Sequence, residues 1–134
     1  MPAADFKLTK NEGLVLARLE AASGPLSAYG LLDLLRDDGF RAPLQVYRAL
    51  DGLIRGGLVH RLESLNAFVA CAGPHVHGHL TTAFAICDAC GQVEELSNPL
   101  VGDALDGMIG ETGFAARKAV IEFRGTCARC RAAA

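Results

Sequence analysis

The chain has 134 residues, which sets an expectation of one domain or of two very small ones. Apolar residues make up 51%, charged residues 21%, and the net charge is −2; these values exclude a disordered or collagen-like chain and a generally basic nucleic-acid binder. No apolar run approaches the ~18 residues that cross a bilayer. The start, Met1-Pro2-Ala3-Ala4-Asp5-Phe6-Lys7, lacks the form of a secretory signal. The expectation is a soluble, cytoplasmic protein without a membrane partner.

In chain order, the first half reads as three helices. Thr9-Lys10-Asn11-Glu12 has the form of a capping box, and a helix through Leu14, Ala17 and Ala21 should stop at Gly24-Pro25. Ser27 suits an N-cap for the second helix, which carries Leu31, Leu32 and Leu35 on one face and should end at Gly39. Pro43 suits the first turn of a third, in which Val46, Leu50, Leu53 and Ile54 repeat at helical spacing before Gly56-Gly57. The period then changes. Leu58–Leu62 and Ala67–Cys71 alternate as short strands around the polar turn Glu63-Ser64-Leu65-Asn66. Three helices followed by a hairpin is the order of a winged helix-turn-helix. Ala72-Gly73-Pro74 marks a hinge.

The second half mixes types, with strands at Ala83–Cys87, Gln92–Leu96 and Ala119–Arg124 and a helix from Pro99 to about Glu111. Such a short segment needs a metal or a partner subunit to be stable. The expected fold is α+β: a winged-helix domain over 1–71, a hinge over 72–80, and a small α/β dimerisation domain over 81–134.

Four of the five cysteines form two pairs, Cys87-Asp88-Ala89-Cys90 and Cys127-Ala128-Arg129-Cys130. An odd count without a secretion signal argues against a disulfide framework, and paired Cys-x-x-Cys turns suit a tetrahedral structural zinc. Thiol–disulfide chemistry is the rival, favoured when an attacking thiol opens a helix; neither pair is expected to do so. A second cluster gathers all four histidines, His60, His75, His77 and His79, around Cys71, with Glu94-Glu95 after the first cysteine pair. Sulfur plus imidazole suits zinc, and a site there would join the two halves; the alternative is a solvated loop with Cys71 packed in a strand. On the third helix, Gln45, Arg48 and Arg55 avoid the apolar face. Gln45 and Arg48, three apart, fit adenine and guanine edges in the major groove; the alternative is a plain solvated face.

Val46-Tyr47-Arg48-Ala49-Leu50, Gly57-Leu58-Val59-His60-Arg61 and Ile86-Cys87-Asp88-Ala89-Cys90-Gly91 resemble the ferric uptake regulator family, in the right order over nearly the whole chain. Ser27–Arg36 and Leu62–Cys71 are most similar to its zinc uptake regulator branch. The resemblance implies a homodimeric, zinc-responsive repressor, not an enzyme, that binds double-stranded operator DNA when zinc-loaded and represses zinc-uptake genes. It implies two zinc ions per protomer: a structural one on Cys87, Cys90, Cys127 and Cys130, and a regulatory one on His60, Cys71, His79 (or His77) and Glu95. Tyr47 and Arg48 match the DNA-contacting pair. The chain departs from the family pattern in three places: His79 lies one residue further from Cys87, Gln45 replaces Thr, and Glu12 stands where many members have Arg. Within the family the rival is an iron or peroxide sensor, against which Cys71 as a soft ligand argues. From another class, the rival is a zinc-ribbon interaction module without DNA binding.

Overall fold

The computed structural model describes residues 7–71 and 81–133. The chain divides into two compact units, Met1–Cys71 and Ala72–Ala134. His75, His77 and His79 lie outside the described residues. No helix among the described residues is long and apolar enough to cross a membrane.

Unit 1 begins with α1 (Lys10–Ala21), and its capping box is complete. The Glu12 backbone N–H donates to Thr9 Oγ1 at 3.1 Å, and the Thr9 N–H donates to Glu12 Oε1 at 2.9 Å. Glu12, which departs from the family pattern, thus closes two otherwise orphaned donors. Its carboxylate also lies against Gly52 of the third helix, where a Cβ would displace the end of the Glu12 side chain.

Ser27 caps α2 (Ala28–Leu34) by accepting from the Gly30 N–H at 3.0 Å. This helix ends earlier than the sequence suggests. Leu35 leaves the helical conformation, a single 3-10 turn spans Arg36–Asp38, and Gly39 takes φ 96°. Asp37-Asp38 favours such tight local turns over a continued helix. The third helix, α3 (Pro43–Arg55), starts with proline at a first-turn position that needs no N–H donor.

The hairpin β1 (Val59–Leu62) and β2 (Ala67–Ala70) pairs Val59 with Ala70 and Leu62 with Ala67, and Asn66 takes φ 49° in the turn. Leu26 adds an unforeseen bridge: its backbone exchanges hydrogen bonds of 3.0 and 2.8 Å with Phe68. That bridge fastens the hairpin to the segment between α1 and α2. Val15, Leu19, Leu31, Leu35, Phe40, Val46, Leu50, Leu53, Val59 and Phe68 form one buried core. It holds α3 by its apolar face and leaves the opposite face to solvent.

Unit 2 is a three-stranded mixed sheet in the order β4-β3-β5, formed by β3 (Thr81–Cys87), β4 (Val93–Leu96) and β5 (Ala119–Gly125). β4 runs antiparallel and β5 parallel to β3, with α4 (Pro99–Gly110) in the crossover that a parallel pair requires. Its fully buried apolar side chains among the described residues are few: Phe84, Ile86 and Cys87. Leu100, Met108, Phe114 and Phe123 stand exposed. A short helix, α5 (Ala128–Ala133), follows directly on Cys127. This corrects the expectation that neither cysteine pair opens a helix; Ala128-Arg129-Cys130-Arg131-Ala132-Ala133 is rich in strong helix formers.

Candidate metal centre and nucleic-acid interface

The parallel register of β3 and β5 sets Cys87 beside Gly125, so the two cysteine pairs meet at one end of the sheet. All four thiols, of Cys87, Cys90, Cys127 and Cys130, lie within 4.8 Å of one another. Cys90 Sγ and Cys127 Sγ are 3.9 Å apart. Four sulfurs each ~2.3 Å from a shared ion in a tetrahedron stand ~3.8 Å apart, so the cluster fits a tetrahedral metal. None of the four is in a disulfide.

Local electrostatics separate the four thiols. Cys87 Sγ accepts from the Cys127 N–H at 3.3 Å and the Cys90 N–H at 3.5 Å. Those donors, the Cys127 amide foremost, lower its pKa to about 6 against the opposing effect of burial. Cys127 is lowered as well, chiefly by the Cys130 backbone N–H. Cys130 is pushed up to about 12, first by its hydrogen bond with the Cys127 side chain and then by burial. Four adjacent thiols cannot all ionise without a cation among them; in its absence the thiolate is favoured at Cys87 and disfavoured at Cys130, and a bound cation would favour it at all four. Arg129 supplies a neighbouring cation whose pKa is raised, first by a hydrogen bond to the Cys90 side chain. Although Cys127 does precede a helix, redox chemistry needs one Cys-x-x-Cys pair, whereas here two converge on a common centre.

The second set of predicted ligands is placed unit by unit. In unit 1, the Cys71 N–H donates to the Leu58 carbonyl at 2.9 Å, and His60 faces Val69. The ladder therefore puts His60 and Cys71 diagonally across one face of the hairpin. Their ligand atoms lie within 4.8 Å of each other, and both residues are half-buried. In unit 2, Glu95 on β4 faces Phe84 and is half-buried, while Glu94 faces Ala85 and is exposed.

On α3, Tyr47 and Arg48 project from the exposed face. Gln45 is half-buried instead, and its Oε1 accepts from the backbone N–H groups of Arg41 at 2.6 Å and Ala42 at 3.0 Å. That oxygen caps the helix, and a bidentate contact with adenine requires it to leave the cap. Gln45→Ala is expected to destabilise the folded protein by ~1 kcal/mol in denaturant unfolding, through the loss of that cap. Arg61 is engaged within the hairpin, donating to Asn66 Oδ1 at 2.9 Å and lying 3.8 Å from Glu63. Residues 41, 63 and 66 carry no sequence signal for these roles beyond their nearness to a helix start or a turn.

A winged helix-turn-helix unit, joined to a small α/β unit with a converging four-cysteine cluster, is the architecture of the metal-responsive regulators that the sequence motifs resemble. The relatives specify which. The chain is 43% identical over 127 residues, 94% of this chain and 74% of the other, to the zinc uptake regulation protein of Escherichia coli (strain K12). It superposes with a TM-score of 0.87 on a zinc uptake regulator complexed with zinc and DNA, at 40% identity, covering 98% of this chain and 87% of that one. The crystal structure of holo XcZur gives a TM-score of 0.84 at 41% identity, covering 96% of this chain and 89% of that one. No protein-family model matches the chain. On the strength of these relatives, the chain belongs to the zinc uptake regulator family.

Proposed function

We propose that this chain is a zinc-responsive transcriptional repressor that acts in the cytoplasm as a homodimer, binding operator DNA when zinc-loaded and shutting off zinc-uptake genes. It regulates and does not catalyse. The observation that carries this is likeness over nearly the full chain, in sequence and fold, to a zinc uptake regulator complexed with zinc and DNA.

Two zinc ions per protomer follow from the two ligand sets. Cys87, Cys90, Cys127 and Cys130 hold the structural one. His60 and Cys71 of unit 1, Glu95 of unit 2 and His79 from the segment between them hold the regulatory one. Zinc is a borderline-soft cation suited to a set that includes the Cys71 thiolate, whereas an iron sensor favours a harder, oxygen- and nitrogen-rich set. Because the regulatory ligands come from both units, ligation favours orientations of the winged unit that a two-fold operator accepts, a coupling of typically ~1–3 kcal/mol. The exposed apolar residues Leu100, Met108, Phe114 and Phe123 give unit 2 the surface that a second copy would cover.

DNA is met by the exposed face of α3. Tyr47 and Arg48 reach into the major groove, and Gln45 offers its amide nitrogen while its oxygen caps the helix. Arg48→Ala is expected to cost ~1–3 kcal/mol on the best duplex and to relax preference at one base position. Changing Arg55 or Arg61 should instead weaken all duplexes evenly. Binding to duplexes selected from a randomised pool, alongside unselected DNA, measures both. Equal losses on selected and unselected DNA for Arg48→Ala would refute base reading.

A further inference from the structure

We propose that Asp88 and Arg124 are positioning residues of the four-cysteine centre, locking one cysteine pair against the other and slowing the loss of its metal. This rests on the reading of Cys87, Cys90, Cys127 and Cys130 as a zinc site.

Besides the Cys90–Cys127 sulfur contact and the Arg129 hydrogen bond to Cys90, three links tie the flanks of the two pairs together. The Asp88 N–H donates to the Gly125 carbonyl at 2.7 Å. The Cys127 N–H donates to Cys87 Sγ at 3.3 Å. Arg124 donates from both Nε, at 2.8 Å, and Nη2, at 2.6 Å, to Asp88 Oδ1. The first two use backbone donors and come with the parallel pairing of β3 and β5. The third depends on side chains. It joins the residue that follows Cys87 to the strand end three residues before Cys127, so the cysteine turns cannot separate without breaking it.

Charge works in the same direction. Four thiolates around a divalent cation retain two negative charges, and the Asp88 carboxylate beside Cys87 would add to their repulsion. Arg124 offsets that carboxylate and spends two donors on one oxygen, the short charge-assisted geometry of a strong contact. Both side chains are about half exposed. An ordinary surface pair of that exposure contributes little. Partners bonded directly to a metal ligand typically change metal affinity ~10–100-fold when removed; Asp88 and Arg124 act one step further out, by holding the two turns together, so their effect falls at or below the low end of that range.

The test uses the full-length zinc-loaded protein, after a mild chelator has removed the more labile metal. Transfer of the remaining zinc to an excess of a strong chromogenic chelator is timed for the parent, Asp88→Asn, Arg124→Gln and the double variant. Each single change is expected to speed transfer, Arg124→Gln by up to ~10-fold because it both breaks the contact and leaves the carboxylate unpaired beside the thiolates, and Asp88→Asn by less because it breaks the contact but removes that charge. The double variant should be no faster than the faster single one, since both remove the same contact. Cobalt substituted at the site should keep its tetrahedral thiolate spectrum in every variant, showing the four ligands intact. Arg36→Gln, which breaks the exposed pair with Asp33 at 3.3 Å, is the control and should leave the rate unchanged. Should Arg124→Gln fail to fold, Arg124→Lys replaces it with an intermediate rate expected. Parent-like rates in the variants, or single effects that add in the double variant, overturn the proposal. Absence of tightly held zinc in the parent, measured before any variant is compared, overturns the four-cysteine reading and the proposal with it.

Discussion

Cys90→Ser is expected to leave unit 2 unable to keep its fold or its partner subunit. The buried apolar side chains described there are Phe84, Ile86 and Cys87, all on the central strand of a three-stranded sheet, far short of what stabilises a domain of this size. On the proposed reading, a zinc ion held by the four thiols supplies the missing cross-link, joining the end of β3 to the segment after β5. Structural zinc of this kind contributes ~10–16 kcal/mol at neutral pH, and a neutral serine oxygen in place of one thiolate forfeits a large share of it. Size-exclusion chromatography, zinc content and thermal unfolding of the purified variant check this. A well-folded dimeric Cys90→Ser protein with a parent-like melting temperature would show that the cluster is not what holds unit 2 together.

Cys71→Ser should act in the opposite way. Cys71 lies at the open end of the hairpin, diagonal to His60, half-buried, with its backbone bonded to Leu58. As a regulatory ligand it exchanges a soft sulfur for an oxygen that zinc holds poorly. The variant should stay folded, keep its structural metal and lose zinc-activated DNA binding. If Cys71 served only as a packed side chain, the hydroxyl would lower stability by ~1–3 kcal/mol and leave the zinc response intact. Metal stoichiometry, unfolding and zinc-dependent duplex binding, measured on one preparation, separate these outcomes.

Much of unit 1 was legible because its signals are local. Thr9, Ser27 and Pro43 mark helix starts by chemistry that acts within one turn, and Val46, Leu50 and Leu53 repeat at the period that buries one face of α3. The convergence of the four cysteines was legible because Cys-x-x-Cys spacing needs no knowledge of the chain between the pairs. What the sequence hid is mostly non-local. The Leu26–Phe68 bridge and the Asp88–Arg124 contact depend on strand register, which neighbouring residues do not encode. Two local misses have local causes. The end of α2 follows from competition between helix and tight turn at Asp37-Asp38, and α5 from the helix-forming residues after Cys127. Gln45 is the subtler case: one residue type serves both as a base reader and as a helix cap, and spacing to Arg48 cannot tell which atoms are already taken.

The central claim, that zinc controls DNA binding by this chain, is tested most directly by titrating zinc into the metal-stripped-to-structural form while following retardation of selected duplex DNA. With the structural equivalent retained throughout, binding should be weak at the start and rise as a second zinc per protomer is taken up, and Cys71→Ser should not respond. Duplex binding that is equally tight before and after the second zinc enters would contradict it.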